Sequence, residues 1–153
     1  MARLEWVILT ERTIIEEHTH NVSLQSIVET ITIPPPPPEM LQPPQPLTIP
    51  FRFYVNQQWA RSKRNIEERV MGRVLLLGPN NKLYGQSDFE VDLVRTGKAH
   101  VIGQVMAFPL LGEGDYPVRV QVRQGTHWRT VGETQFAVMF NAQLGAGGIP
   151  QRH

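Results

Sequence analysis

From Tyr116 to Arg123 the chain reads Tyr-Pro-Val-Arg-Val-Gln-Val-Arg, an unbroken alternation of apolar and polar side chains. Successive side chains of an extended backbone point to opposite faces, so Tyr116, Val118, Val120 and Val122 share one face, and Pro117, Arg119, Gln121 and Arg123 share the other. That period of two specifies a half-buried β-strand. Each inward side chain contributes about 1.5–3 kcal/mol when fully buried. A slip of one residue would turn all four outward, so the register should be firmly set.

The same period recurs along the chain. Phe51, Phe53, Val55 and Trp59 alternate with Arg52, Tyr54 and Asn56. Phe136, Val138 and Phe140 alternate with Gln135, Ala137 and Met139, and this second set is apolar enough to be covered as well. The stretches from Trp6 to Ile15 and from Val22 to Ile33 are rich in Val, Ile and Thr, with a polar connection over Glu16–Asn21. They predict a hairpin of two long strands. Glu68 to Leu77 predicts another strand, closed by the turn formers Gly78-Pro79-Asn80-Asn81. Gly97-Lys98 and Gly112-Glu113-Gly114-Asp115 mark further turns, and Gln124-Gly125-Thr126-His127 closes a hairpin into Trp128–Phe140. Gly103 and Pro109 predict a bulge or strand end between Ala99 and Leu110. Asn65–Arg69 could form a short helical turn, but no long segment carries the 3.6-residue period of a core helix. The expected fold is all-β: one antiparallel β-sandwich domain of about eight strands over residues 1–140.

Two segments fall outside the alternation. Residues 34–50 contain five consecutive prolines, Pro34 to Pro38, and four more by Pro50. Proline fixes φ and removes the amide donor, so this stretch cannot lie inside a sheet and favours an extended polyproline II rod. Residues 141–153, with Gly145, Gly147 and Gly148, have the composition of a flexible C-terminal tail.

Composition narrows the function classes. The net charge is +1, whereas affinity for nucleic acid grows with each phosphate neutralised, which argues against a nucleic-acid partner beyond a local site. There is no cysteine, and hence no disulfide, thiolate metal site or cysteine nucleophile. The amino end flanks a short apolar run with charges, unlike a signal peptide, and nothing approaches the ~18 consecutive apolar residues of a membrane span. These features predict a cytoplasmic protein with no membrane insertion. No GxSxG elbow, P-loop, HExxH or dinucleotide fingerprint is present, so no enzyme activity, catalytic residue or cofactor is expected. Glu90 and Asp92 would share a strand face, a spacing common on exposed strands.

Several residues could carry recognition. Pro35 with Pro38, and Pro43 with Pro46, have the PxxP spacing that aromatic grooves bind, although the same rod could simply carry the chain from one sheet to the other. Trp59, Arg61, Lys63, Arg64, Arg69 and Arg73 form a basic run with an aromatic stacking face, or a solvated edge that discourages aggregation. Arg119, Gln121 and Arg123 make a polar stripe that Arg129 and Gln135 could extend, either solvent-facing or a recognition surface. Glu16, Glu17, His18 and His20 crowd one turn, but a metal needs three or four convergent ligands, so no metal is expected. Tyr54, Trp59 and Trp128, if exposed, would suit carbohydrate or another small ligand. The leading expectation is a non-catalytic protein-interaction or assembly module that binds a protein partner, or itself, through strand edges, the polar strand face or the proline-rich loop.

The run ILTERTIIEEHTHNVSLQSIVETITIP from Ile8 to Pro34, with FRFYVNQQW, RVLLLGPNNK and GEGDYPVRVQV after it, resembles an uncharacterised bacterial domain-of-unknown-function family of small β-sandwich proteins. The similarity spans about Leu9 to Phe140. It rests on a first hairpin, a proline-bearing crossover, a turn before Lys82 and a late glycine-tyrosine strand. The resemblance implies the sandwich fold and a bacterial or phage-associated cytoplasmic setting, and it transfers no catalytic residue. The proline run is longer here than the resemblance implies.

Overall fold

The computed structural model describes residues 2–19, 21–41, 46–62 and 68–141. The chain forms β1 (Arg3–Ile15), β2 (Val22–Ile27), β3 (Thr30–Ile33), β4 (Thr48–Ile49), β5 (Phe53–Ala60), β6 (Arg69–Leu77), β7 (Leu83–Asp92), β8 (Lys98–Val105), β9 (Phe108–Pro109), β10 (Gly114–Gln124) and β11 (His127–Phe140). Two sheets, ordered β2-β1-β5-β8 and β3-β11-β10-β6-β7, pack face to face, and β4 pairs with β9 alone. The helical pieces among the described residues are short 3-10 turns at Pro38–Leu41 and Pro79–Asn81. The expected β-sandwich is therefore the fold, with eleven strands where the turn signals suggested about eight.

Alternation becomes burial as predicted on β10, where Tyr116, Val118, Val120 and Val122 are each 0% exposed. On β5, Phe53, Val55 and Trp59 face inward with Gln57 beside them. The opposing inner faces interdigitate into two apolar clusters, one around Phe53, Phe108, Tyr116 and Phe136, the other around Trp59, Val70, Val91 and Val122. In the first, the Tyr116 and Phe136 rings stack at 5.2 Å and Phe108 meets both edge-on. Such pairs add about 0.5–1.5 kcal/mol each beyond their buried area.

Four expectations need correction. Val22–Ile33 is not one strand: Ser26 sits at φ 59, Val28 N–H donates to Leu9 C=O at 2.9 Å, and Ala137 N–H donates to Glu29 C=O at 2.9 Å. The chain therefore leaves the first sheet at β2 and joins the second at β3, which runs parallel to β11, the single departure from antiparallel pairing in the ladders. Of the bulge or strand end expected between Ala99 and Leu110, the strand end is what forms: β8 stays in register with β5 from Lys98 to Val105 and stops there. Met139 is 54% exposed, so the second face of β11 is not covered throughout. The proline rod does not extend to residue 50. It turns at Pro38, and beyond it Leu47 C=O accepts a bond of 2.7 Å from Leu110 N–H before β4 joins β9. β7 is the strand that alternation did not reveal, because Gly85 and Ser87 stand opposite Leu76 and Val74 where large apolar residues would have marked it. The proposed helical turn at Asn65–Arg69 lies largely outside the described residues, and Arg69 itself begins β6. Asn141 N–H donates to Ile33 C=O, and the rest of the tail lies outside the described residues.

Among the described residues, no helix is long and apolar enough to cross a membrane.

Candidate interaction surface

β1 is longer than its neighbour in the sheet. Arg3 to Thr10 pair with β5, whereas Arg12 to Ile15 pair only with β2, so the far half of this hairpin has one partner strand. None of residues 11–19 or 21–27 is buried. Ile14, Ile15 and Ile27 are 47%, 54% and 62% exposed, and Ile15 pairs with Val22 while Thr13 pairs with Leu24. Ile15, Val22 and Leu24 consequently share one face of the arm. At its base, Asn56 anchors the arm: its Nδ2 donates to Ile8 C=O at 3.0 Å and to Thr10 Oγ1 at 2.9 Å, and its Oδ1 accepts from Thr13. A shallow groove of about 710 Å³ continues from Glu11 and Ile27 along the free edge of β3 to Ile49 and Phe51.

The outer face of the second sheet is knitted together. Arg119 donates from Nε to Glu133 Oε2 at 2.9 Å, and Arg123 donates to Gly125 C=O at 3.0 Å. Arg73 donates to Gln121 Oε1 at 2.7 Å, Gln121 donates onward to Thr130 Oγ1 at 3.1 Å, and the Arg73 guanidinium lies 4.3 Å from the centre of the Trp128 ring. The polar stripe of Arg119, Gln121 and Arg123 is thus where the alternation placed it, with Glu133 and Thr130 as cross-strand partners; Gln135, opposite Pro117, lies on the same face, whereas Arg129 pairs with Val122 on the other. A one-residue bulge opposite Val120 and Gln121 explains the displacement of Arg129.

Trp59 does not offer a stacking face. It is 0% exposed and donates from Nε1 to Gln57 Oε1 at 3.0 Å, because it falls on the inward side of β5 with Phe53 and Val55. The basic run after it does not converge: Arg69 meets Asp92 at 3.8 Å, Arg73 covers Trp128, and Arg61 is tied by its backbone N–H to Gly97 C=O. Arg64 and Lys63 lie outside the described residues. Pro35 and Pro38 are exposed on the crossover from the second sheet to the first, Pro46 is half-buried, and Pro43 lies outside the described residues. No three His, Cys, Asp or Glu side chains converge among the described residues, and His20 lies outside them. Tyr54 is half-buried and accepts from Gln104, and Trp6 packs against His100 with ring centres 5.6 Å apart. Beside them, a hydrogen bond from Gln58 at 2.6 Å holds the Glu5 carboxyl below the ordinary carboxylate range against partial desolvation, with Lys98 and Arg3 adding to the effect.

What the alternation missed was the arm. Its signal was present as Ile14-Ile15, two adjacent apolar residues that no single strand face can bury together.

No family model and no curated protein matches this sequence. A glycosyl hydrolase family 2 member from Bacteroides cellulosilyticus DSM 14838 is similar in structure, with 18% sequence identity and a TM-score of 0.44. The match covers 58% of this chain and 12% of that one.

Proposed function

We propose that this protein is a non-catalytic interaction or assembly module whose contact element is the β1–β2 arm with the adjoining free edge of β3. The observation that carries the reading is the arm's exposure: Ile14, Ile15 and Ile27 stand in solvent on a two-stranded ribbon, with no buried residue among the described ones beyond Thr10 until Val28. A two-stranded hairpin is marginally stable alone in water, and clustered exposed apolar side chains mark interaction sites. Docking the arm against a protein surface supplies the missing third layer, and the β3 edge offers unpaired backbone groups for an added strand.

Replacing Ile14 and Ile15 together by Glu tests this. Both are solvent-facing, so stability should stay within about 0.5–1 kcal/mol of the parent. The parent should either self-associate with rising concentration in light scattering or retain a defined protein partner in a pull-down, and the variant should lose whichever is seen. A parent that stays monomeric, with a set of retained proteins identical to the variant's, would refute the proposal.

A further inference from the structure

The two sheets do not close along the side where β7 and β8 are the edge strands. A slot of about 400 Å³ opens between them, walled by Val55, Val101 and Val105 from one sheet and Val74, Leu76 and Phe89 from the other. This size lies in the lower part of the ~300–1,000 Å³ range of small-molecule sites.

Two residues distinguish the slot from a packing defect. Gly103 pairs with Val55 on β8, so its side-chain position faces inward, yet a methyl group there would meet no atom within 4 Å. Its φ is not among the positive values, so a larger residue is free of backbone strain. Gly103 is exposed on the edge strand β8, and with no side chain there the gap between the two sheets stays open to solvent. Gln57, 1% exposed, lines the same slot. Its Oε1 accepts from Trp59 Nε1, which fixes the amide's orientation, and among the described residues its Nε2 donates to nothing. Nε2 is not sealed from solvent, and a ligand oxygen in the slot would replace water as its acceptor. Asp88 at the mouth is the only charged side chain of the lining, so an anion would meet repulsion and no counter-charge.

We infer that the slot between β7 and β8 is a binding site for a neutral, largely apolar small molecule carrying a carbonyl or similar oxygen acceptor, which inserts between the apolar walls and accepts a hydrogen bond from Gln57 Nε2. The site is separate from the arm and stands whether or not the arm docks a partner.

Nile red, neutral and carbonyl-bearing, is the probe, displaced by a matched pair: 2-acetylnaphthalene, which carries the acceptor, and 2-ethylnaphthalene, which lacks it. The full chain should bind the probe at one saturable site, and the ketone should displace it about five- to tenfold more effectively than the hydrocarbon, the factor one net hydrogen bond supplies. Gly103→Leu, which fills the space, should abolish saturable binding while melting at the parent temperature or above. Gln57→Met should bind the probe but lose the preference for the ketone. Equal displacement by the two competitors on the unmodified protein would overturn the inference. So would saturable binding that survives Gly103→Leu. Absence of saturable binding altogether would overturn it too and leave the slot to an inserted strand.

Discussion

Tyr116 and Tyr84, on strands of the same sheet, meet edge-on with ring centres 6.4 Å apart, yet their hydroxyls have opposite fates. Tyr116 Oη accepts from Leu111 N–H at 2.8 Å and donates to Gly112 C=O at 2.8 Å, bracing the turn that enters β10. This is the tyrosine-corner device of sandwich domains, a hydroxyl satisfied by backbone a few residues upstream. Gly112 and Gly114 take φ of 116° and 129° to shape that turn, values an L side chain rarely adopts. Tyr84 Oη is buried with no hydrogen-bond partner among the described residues, and burial pushes its hydroxyl pKa up, with Tyr116 adding to the shift. Tyr116→Phe should therefore lower unfolding free energy by about 1–3 kcal/mol, since it orphans a backbone donor, whereas Tyr84→Phe should be neutral or stabilising by up to about 1 kcal/mol. Urea denaturation of both variants checks the contrast, and equal losses would contradict it. The inward position of Tyr116 could be read from alternation alone. Its bonds could not, because they depend on where the β9–β10 connection runs.

At the scale of elements, the passage from β2 to β3 decides how the two sheets are joined. Ser26 adopts φ 59 there, a left-handed conformation costing an L residue about 1–2 kcal/mol. The bend lets Val28 enter the core and Glu29 reach β11. Ser26→Gly should raise unfolding free energy by up to about 1 kcal/mol, and Ser26→Val should lower it by about 1–2 kcal/mol, because a branched side chain fits that region worst. Thermal unfolding distinguishes them, and a stabilised Val variant would show that the turn is not what limits this junction. Nothing in the Val22–Ile33 sequence announced the break, since its Val, Ile and Thr content suits a continuous strand equally well. The proline segment behaved otherwise. Its missing amide donors barred it from a ladder from the outset, and it crosses between sheets as one of its two readings required.

For the whole molecule, Glu5 is a carboxylate that ties three neighbouring strands together. Glu5 receives its hydrogen bond from Gln58 of the neighbouring strand and lies 3.7 Å from Lys98 of the next, so its folded pKa is depressed. A carboxyl that binds its proton more weakly folded than unfolded contributes fully above the ordinary value of about 4.3 and loses that contribution as pH falls through the folded value. Glu5→Gln should accordingly show a shallower fall in melting temperature than the parent as pH drops below the ordinary carboxyl value. Parallel curves would remove Glu5 from the acid response. The sandwich itself follows from one local property: along Tyr116–Arg123 every second side chain is apolar, along Phe53–Trp59 the same holds but for Gln57, and two facing sheets hide such rows at least cost. Local period therefore determined the strands, their inward faces and the absence of a core helix. Which sheet each strand joins, the parallel seating of β3, the burial of Trp59 away from any partner, the projecting arm and the open slot at Gly103 were decided only in three dimensions. They depend on contacts between residues distant in sequence, and the period of a segment carries no information about what lies across from it.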